Sequence, residues 1–164
     1  MHRFALSIIG LGFLFACTAP TPRPAPGDIA AAYQAVGRLQ EASREIELAI
    51  RMRPRDISLR RQAARIYVEA NDSNRAIVHL ESAIQFAPRD GALWLDLAEI
   101  ERDRQNIADA YVAFRRASTL TPTDLRAVSG LALSAENLGF SEEANDAYAR
   151  WDALKLGLEP GAVE

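Results

Sequence analysis

Residues 54–56 read Pro-Arg-Asp, residues 88–90 read Pro-Arg-Asp, and residues 122–124 read Pro-Thr-Asp, each triplet 34 residues after the one before. A proline stops the helix ahead of it, because it lacks a backbone N–H and its ring clashes with the preceding turn. An aspartate two residues later caps the helix that follows. The triplets therefore punctuate a repeating helical pattern. Folding the chain at that period aligns small residues as Ala30, Ala64, Ala98 and Ala132, and again as Ala42, Ala76, Ala110 and Ala144. Large apolar residues align as Ile46, Leu80, Phe114 and Tyr148. Further columns hold Ala49, Ala83, Ala117 and Trp151, and Ile29, Ala63, Leu97 and Leu131. Gly37, Asn71, Gln105 and Gly139 mark turns, being mostly residues that tolerate a left-handed conformation after a helix. Alanines let two helices approach closely while the large residue a turn away fills the remaining gap. These columns are core.

The pattern resembles the tetratricopeptide repeat, a 34-residue pair of antiparallel helices whose apolar faces are buried by stacking on the next pair. The resemblance implies an all-α, right-handed α-solenoid of four units, about 28–56, 57–90, 91–124 and 125–158. Eight helices are predicted at about 28–36, 39–53, 57–70, 74–87, 91–104, 107–121, 125–138 and 142–156. Trp94 fills the family's aromatic place near the start of a first helix, where Arg60 and Val128 stand in other units. Tyr33 and Tyr67 fill its tyrosine place, where Glu101 and Ala135 stand later. Pro24, Pro26 and Gly27 shorten the first helix, which is expected to start at Asp28. In the last unit, the three positions that face a following repeat are Ser141, Asn145 and Asp152, all polar. They are expected to be exposed and to cap a monomeric array, with residues 159–164 as a short tail.

The amino terminus is of another kind. Residues 1–16 join a short basic start, His2 and Arg3, to the apolar run Phe4–Ala16, which fits a signal peptide and is short for a membrane span. Leu14-Phe15-Ala16-Cys17 resembles the lipobox of bacterial lipoproteins, although Phe15 is larger than that motif's usual residue. The resemblance implies cleavage before Cys17 and acylation of its amino-terminal cysteine. Residues 17–27 then form a proline-rich tether. Thr18 is not the aspartate that retains many lipoproteins at the inner membrane, so the resemblance favours the outer membrane, facing the periplasm.

Composition narrows the chemistry. The chain is 164 residues, 49% hydrophobic and 25% charged, with a net charge of −3. That is an ordinary globular composition with no bias toward nucleic acid. One cysteine permits no intrachain disulfide and no thiolate zinc cluster. Outside the leader, the one histidine is His79, so a multi-histidine metal site is excluded. His79 is expected to be a partly exposed packing residue. No phosphate loop, G-x-S-x-G or H-E-x-x-H motif occurs. The expectation is a protein that is not an enzyme and has no cofactor and no metal; the competing class is an enzyme or ligand-binding protein using His79 or the acidic groove.

What remains is surface. By resemblance, the first helix of each pair lines a concave groove, which places Arg61, Arg65, Leu95, Asp96, Glu99, Asp103, Arg126, Ser129, Leu133 and Asn137 there. Arginines of the second unit would stand beside carboxylates of the third. Either these charges pair with one another across neighbouring helices, or they fix the register of a bound protein segment. The lysine-and-asparagine clamp of chaperone-binding relatives is not apparent, Asp96 standing where an amide would help. A second patch, Arg51, Arg53, Arg55, Arg60, Arg61 and Arg65, is opposed by Asp56 alone. It is read as partly helix-end electrostatics and partly a contact for lipid headgroups or an acidic partner. The expected role is a protein-binding adaptor at the outer membrane, serving pilus or secretion assembly, with peptidoglycan-enzyme docking or outer-membrane protein assembly as alternatives. Its partners would be protein or peptide segments, and the membrane through Cys17.

Overall fold

The computed structural model describes residues 24–157. The leader 1–16, Cys17, most of the tether, and residues 158–164 lie outside the described residues. Eight helices follow in order: α1 Pro26–Ala35, α2 Leu39–Met52, α3 Ile57–Glu69, α4 Ser73–Phe86, α5 Gly91–Asp103, α6 Ile107–Leu120, α7 Leu125–Asn137 and α8 Ser141–Lys155. Each helix packs on the next, and α5 also touches α7. This is an all-α solenoid of four helix pairs.

The punctuation works as the residue chemistry requires. Asp56, Asp90 and Asp124 each cap the next helix: Leu59 N–H donates to Asp56 (3.2 Å), Ala92 N–H to Asp90 (3.0 Å), and Arg126 N–H to Asp124 (2.9 Å). Asp72, which no column singled out, does the same for α4 through Arg75 N–H (3.1 Å). The turn residues Gly37, Asn71, Gln105 and Gly139 all have positive φ, at 73°, 58°, 63° and 78°. The next N–H reaches back over the turn in each case: Arg38 to Tyr33 O, Asp72 to Tyr67 O, Asn106 to Glu101 O, and Phe140 to Ala135 O, at 2.8–2.9 Å. These bonds satisfy carbonyls that a helix end would otherwise leave open.

One boundary differs from expectation. Helix α1 begins at Pro26, not Asp28. Proline is preorganised for the first helical position, where its missing N–H is not needed. Gly27 is buried, and a Cβ there would lie 2.8 Å from Leu59 Cδ2. Its carbonyl accepts from Gln62 Nε2 at 3.1 Å. The tether therefore gives up its last two residues to the helix.

The alanine columns are buried throughout, and Ile46, Leu80 and Phe114 are fully enclosed. Tyr148 and Trp151, their counterparts in the last pair, are only half-buried. Ser141, Asn145 and Asp152 are exposed, whereas Ile77, Tyr111, Ile50 and Ile84 at equivalent places are buried. The aromatic place is used in an unexpected way. Trp94 Nε1 donates to Pro88 O at 3.0 Å, and Arg60 donates to Pro54 O at 2.7 Å. Tryptophan and arginine thus tie α5 and α3 to the carbonyls of equivalent punctuating prolines. Val128 has no donor to offer and is buried instead.

Gly130 marks the tightest approach. A Cβ there would fall 2.3 Å from Phe114 Cε1, and Phe114 has no exposed surface into which to retreat. Alanine should add about 1 kcal/mol of helix propensity, but the clash should cost more, leaving Gly130→Ala about 1–3 kcal/mol less stable. Ala98→Leu and Ala110→Leu should fall in the same range. Thermal melts of Gly130→Ala with and without Phe114→Leu check the cause: the smaller side chain should restore part of the loss, and an additive double variant would refute the steric account.

Candidate functional site

A groove of about 400 Å³ opens between α3 and α5. Its apolar floor is Ala64, Val68, Leu80 and Ile100, and its charged walls are Arg61, Arg65, Glu69, Asp96, Glu99, Asp103 and Arg126. The helical period explains the floor: Ala64 and Val68 are one turn apart on α3, and Asp96, Glu99, Ile100 and Asp103 share one face of α5.

The charges largely satisfy one another. Arg61 grips Asp96 with two bonds, Nε to Oδ2 at 2.5 Å and Nη2 to Oδ1 at 3.1 Å. Arg126 holds Glu99 in the same way, with Nε to Oε1 at 2.9 Å and a second bond from Nη2 to Oε2. Each carboxylate bond holds its arginine more firmly protonated, the hydrogen bond being the largest effect in both. These pairs stitch α3 to α5 and α5 to α7. Asp103 pairs with Arg102 (3.0 Å), and Glu69 accepts from Gln34 Nε2 (2.7 Å). Arg65 is exposed and makes no ion pair among the described residues.

Of the residues expected to line the groove, Arg61, Arg65, Asp96, Glu99, Asp103 and Arg126 do so. Leu95 does not. It is 4% exposed and belongs to the core, although it lies one helical turn before Glu99 on α5. Ser129, Leu133 and Asn137 stand outside the cavity on α7. Ser129 Oγ and Asn137 Nδ2 donate to carbonyls of their own helix (3.3 and 2.8 Å), while Leu133 is exposed. The floor residues Ala64 and Leu80 carried a sequence signal as core columns. Val68 and Ile100 gave none.

His79 is neither in the groove nor partly exposed. It is buried, stacked on Tyr67 with ring centroids 5.3 Å apart and planes 6° apart. Glu47 Oε1 accepts from both His79 Nε2 (3.0 Å) and Tyr67 Oη (2.8 Å). His79 Nδ1 is buried without a partner. The neutral ring with its proton on Nε2 fits this arrangement, the lone pair on Nδ1 being cheaper to bury than an N–H. The cluster joins α2, α3 and α4, so histidine serves packing between the first two repeats. Tyr67 sits in the tyrosine column; its pairing with Glu47 and His79, 20 residues before it and 12 after, left no periodic trace.

No family model matches the chain. The PEX5-related protein of Homo sapiens is 35% identical over 75 residues, covering 46% of this chain and 12% of that protein. The peroxisomal targeting signal receptor of Komagataella phaffii is 32% identical over 75 residues, covering 46% and 13%. The chain thus spans about an eighth of the length of the curated relatives it matches. Among solved structures, a crystal structure of MamA superposes with a TM-score of 0.74 at 14% identity, covering 80% of this chain and 77% of that one. MamA 41-end from Desulfovibrio magneticus RS-1 gives 0.70 at 15% identity, covering 80% and 75%. At these identities the likeness is one of fold, and the fold is that of a tetratricopeptide-like solenoid.

Burial pushes the His79 imidazole below its ordinary range, and the Glu47 carboxylate only partly offsets this. The unfolded chain therefore takes up the proton first as pH falls. The contribution of neutral His79 is fully present above the unfolded value near 6.5 and is lost as pH drops through the lower folded value. The melting temperature should accordingly fall faster between about pH 7 and about pH 5 in the wild type than in His79→Gln. Parallel curves for the two would show that His79 titrates alike in both states.

Proposed function

We propose that the chain is a non-enzymatic protein-interaction scaffold of the bacterial envelope, which holds an extended protein segment in the α3–α5 groove. The observation that carries this reading is what the groove leaves unused: its walls are internally paired, and Val68, the exposed part of its apolar floor, stands beside the unmatched cation Arg65. Such a trough suits a segment with apolar side chains and one carboxylate. The partial likeness to a peroxisomal targeting signal receptor supports a binding role in general terms. The competing reading, catalysis through His79, is disfavoured by the burial of that ring away from the groove.

We place the chain at the outer membrane through acylated Cys17, on the strength of Leu14-Phe15-Ala16-Cys17 and the prolines after it. Pilus or secretion assembly is the preferred setting, ahead of peptidoglycan-enzyme docking and outer-membrane protein assembly.

Two measurements test these points. A photo-crosslinking residue at Val68, in the floor, should give a discrete protein adduct in intact cells that Arg65→Glu diminishes. The same residue at Val78, exposed on α4 and outside the groove, should not. Equal adducts from both positions would refute the groove. Separately, Cys17→Ser should remove lipid from the amino-terminal peptide and release the protein from membranes. A wild-type protein that carries no lipid and fractionates as soluble would refute the anchor.

A further inference from the structure

The helix pairs run antiparallel through short turns, so the solenoid has two ends of different composition. One gathers the start of α1, the C-termini of α2, α4, α6 and α8, and the turns at 53–56, 87–90 and 121–124. The other gathers the turns at 36–38, 70–72, 104–106 and 138–140.

The charges divide between them. At the first end Arg51, Arg55 and Arg89 are exposed and make no ion pair among the described residues. Arg55 and Arg89 occupy the same place in successive turns, and Lys155 closes α8 at this same end. The aspartates of these turns are engaged: Asp56, Asp90 and Asp124 accept helix N–H groups, and Asp56 also pairs with Arg53 at 3.1 Å. Among the described residues, Asp28 and Asp152 are further acids near this end. At the other end the arginines in and beside the turns are already matched, as Arg38–Glu41, Arg75–Asp72, Arg102–Asp103 and Arg104–Glu101. Glu142 and Glu143 add negative charge in the first turn of α8.

Two more features set the basic end apart. Met52 lies between Arg51 and Arg53 and is 66% exposed, and Phe86 is 46% exposed with the Arg60 guanidinium 5.7 Å from its ring centre. Apolar side chains among cations suit the boundary between lipid headgroups and acyl chains. The described chain also begins here: the Arg53 guanidinium lies 3.9 Å from where a Cβ on Gly27 would stand, and Cys17 is ten residues before Gly27 in the sequence.

We propose that this basic end is a docking face for an anionic phospholipid surface. The planar guanidiniums of Arg51, Arg55 and Arg89 meet headgroup phosphates in paired hydrogen bonds, and Met52 and Phe86 dip to the level below. The acidic end then points away from the bilayer. The proposal draws on the tethering reading only for the presence of a membrane.

The native tryptophans report on it. Trp94 is bonded to Pro88 O at 3.0 Å, in the 87–90 turn, and Trp151 lies one turn from the end of α8, so both mark the basic end. The full chain is mixed with vesicles carrying dansyl-labelled headgroups, of either phosphatidylglycerol or phosphatidylcholine, at saturating lipid. Tryptophan-to-dansyl transfer should be higher on phosphatidylglycerol at about 0.01 M salt, where the Debye length is about 30 Å, and the difference should vanish at about 1 M. The triple variant Arg51→Gln, Arg55→Gln, Arg89→Gln should lose the difference at low salt while melting as the wild type does. Equal transfer on the two lipids, or a triple variant indistinguishable from wild type, overturns the proposal. Binding to polyglutamate without a preference for phosphatidylglycerol overturns it in favour of an acidic protein partner. Cys17→Ser separates the two readings: lost attachment in cells with the vesicle preference retained supports both, whereas unchanged attachment with the preference retained fails the tether alone.

Discussion

Close approach of helices is the constraint on which the molecule depends. Wherever two helices cross, one supplies no side chain beyond a methyl group, at Ala30, Ala64, Ala98 and Ala132 and again at Ala42, Ala76, Ala110 and Ala144. At Gly130 even the methyl is absent, because the ring of Phe114 occupies its place. Ile46, Leu80 and Phe114 between these points are therefore enclosed on all sides. A domain this small has few large side chains to bury, and it compensates with many short interhelical distances, each rich in dispersion contacts. The groove follows from the same spacing: Ala64 is both a crossing point and part of the floor.

Much of the fold was legible because it repeats. The proline–aspartate triplets, the alanine columns and the four turn residues each report a local requirement that recurs every 34 positions, so agreement in phase identifies them. Departures from the period were harder to read. The start of α1 at Pro26 depends on Gly27 meeting Leu59, a single event at one end. Arg60 looked like a lost tryptophan, yet it makes the bond to Pro54 O that Trp94 makes to Pro88 O, because only an N–H donor is needed there.

The site was legible in part for the same reason. A helical face of α5 carrying Asp96, Glu99 and Asp103 can be read from spacing alone, whereas the pairing of Asp96 with Arg61 and of Glu99 with Arg126 depends on how neighbouring helices rotate. That pairing decides what the groove offers a ligand: two arginines that looked available are committed, and one is not. Leu95 stands one turn before Glu99 on α5 yet is buried, so spacing along one helix does not tell which positions of a face the neighbouring helices cover. The His79 cluster lay beyond periodic reasoning altogether, because Glu47, Tyr67 and His79 meet once, on three different helices.

Because each helix leans chiefly on its two neighbours, the protein is mechanically a stack and not a ball. A pull transmitted through the chain ahead of Pro26 loads α1 first, which is held both by α2 and, through the Gln62–Gly27 and Gln34–Glu69 bonds, by α3. The Tyr67–Glu47–His79 cluster, which binds α2 to the second pair, is the next fastening met by the load. Strain entering from the amino terminus thus has a short path to the α3–α5 groove, because Gln34 of α1 bonds Glu69 in its wall.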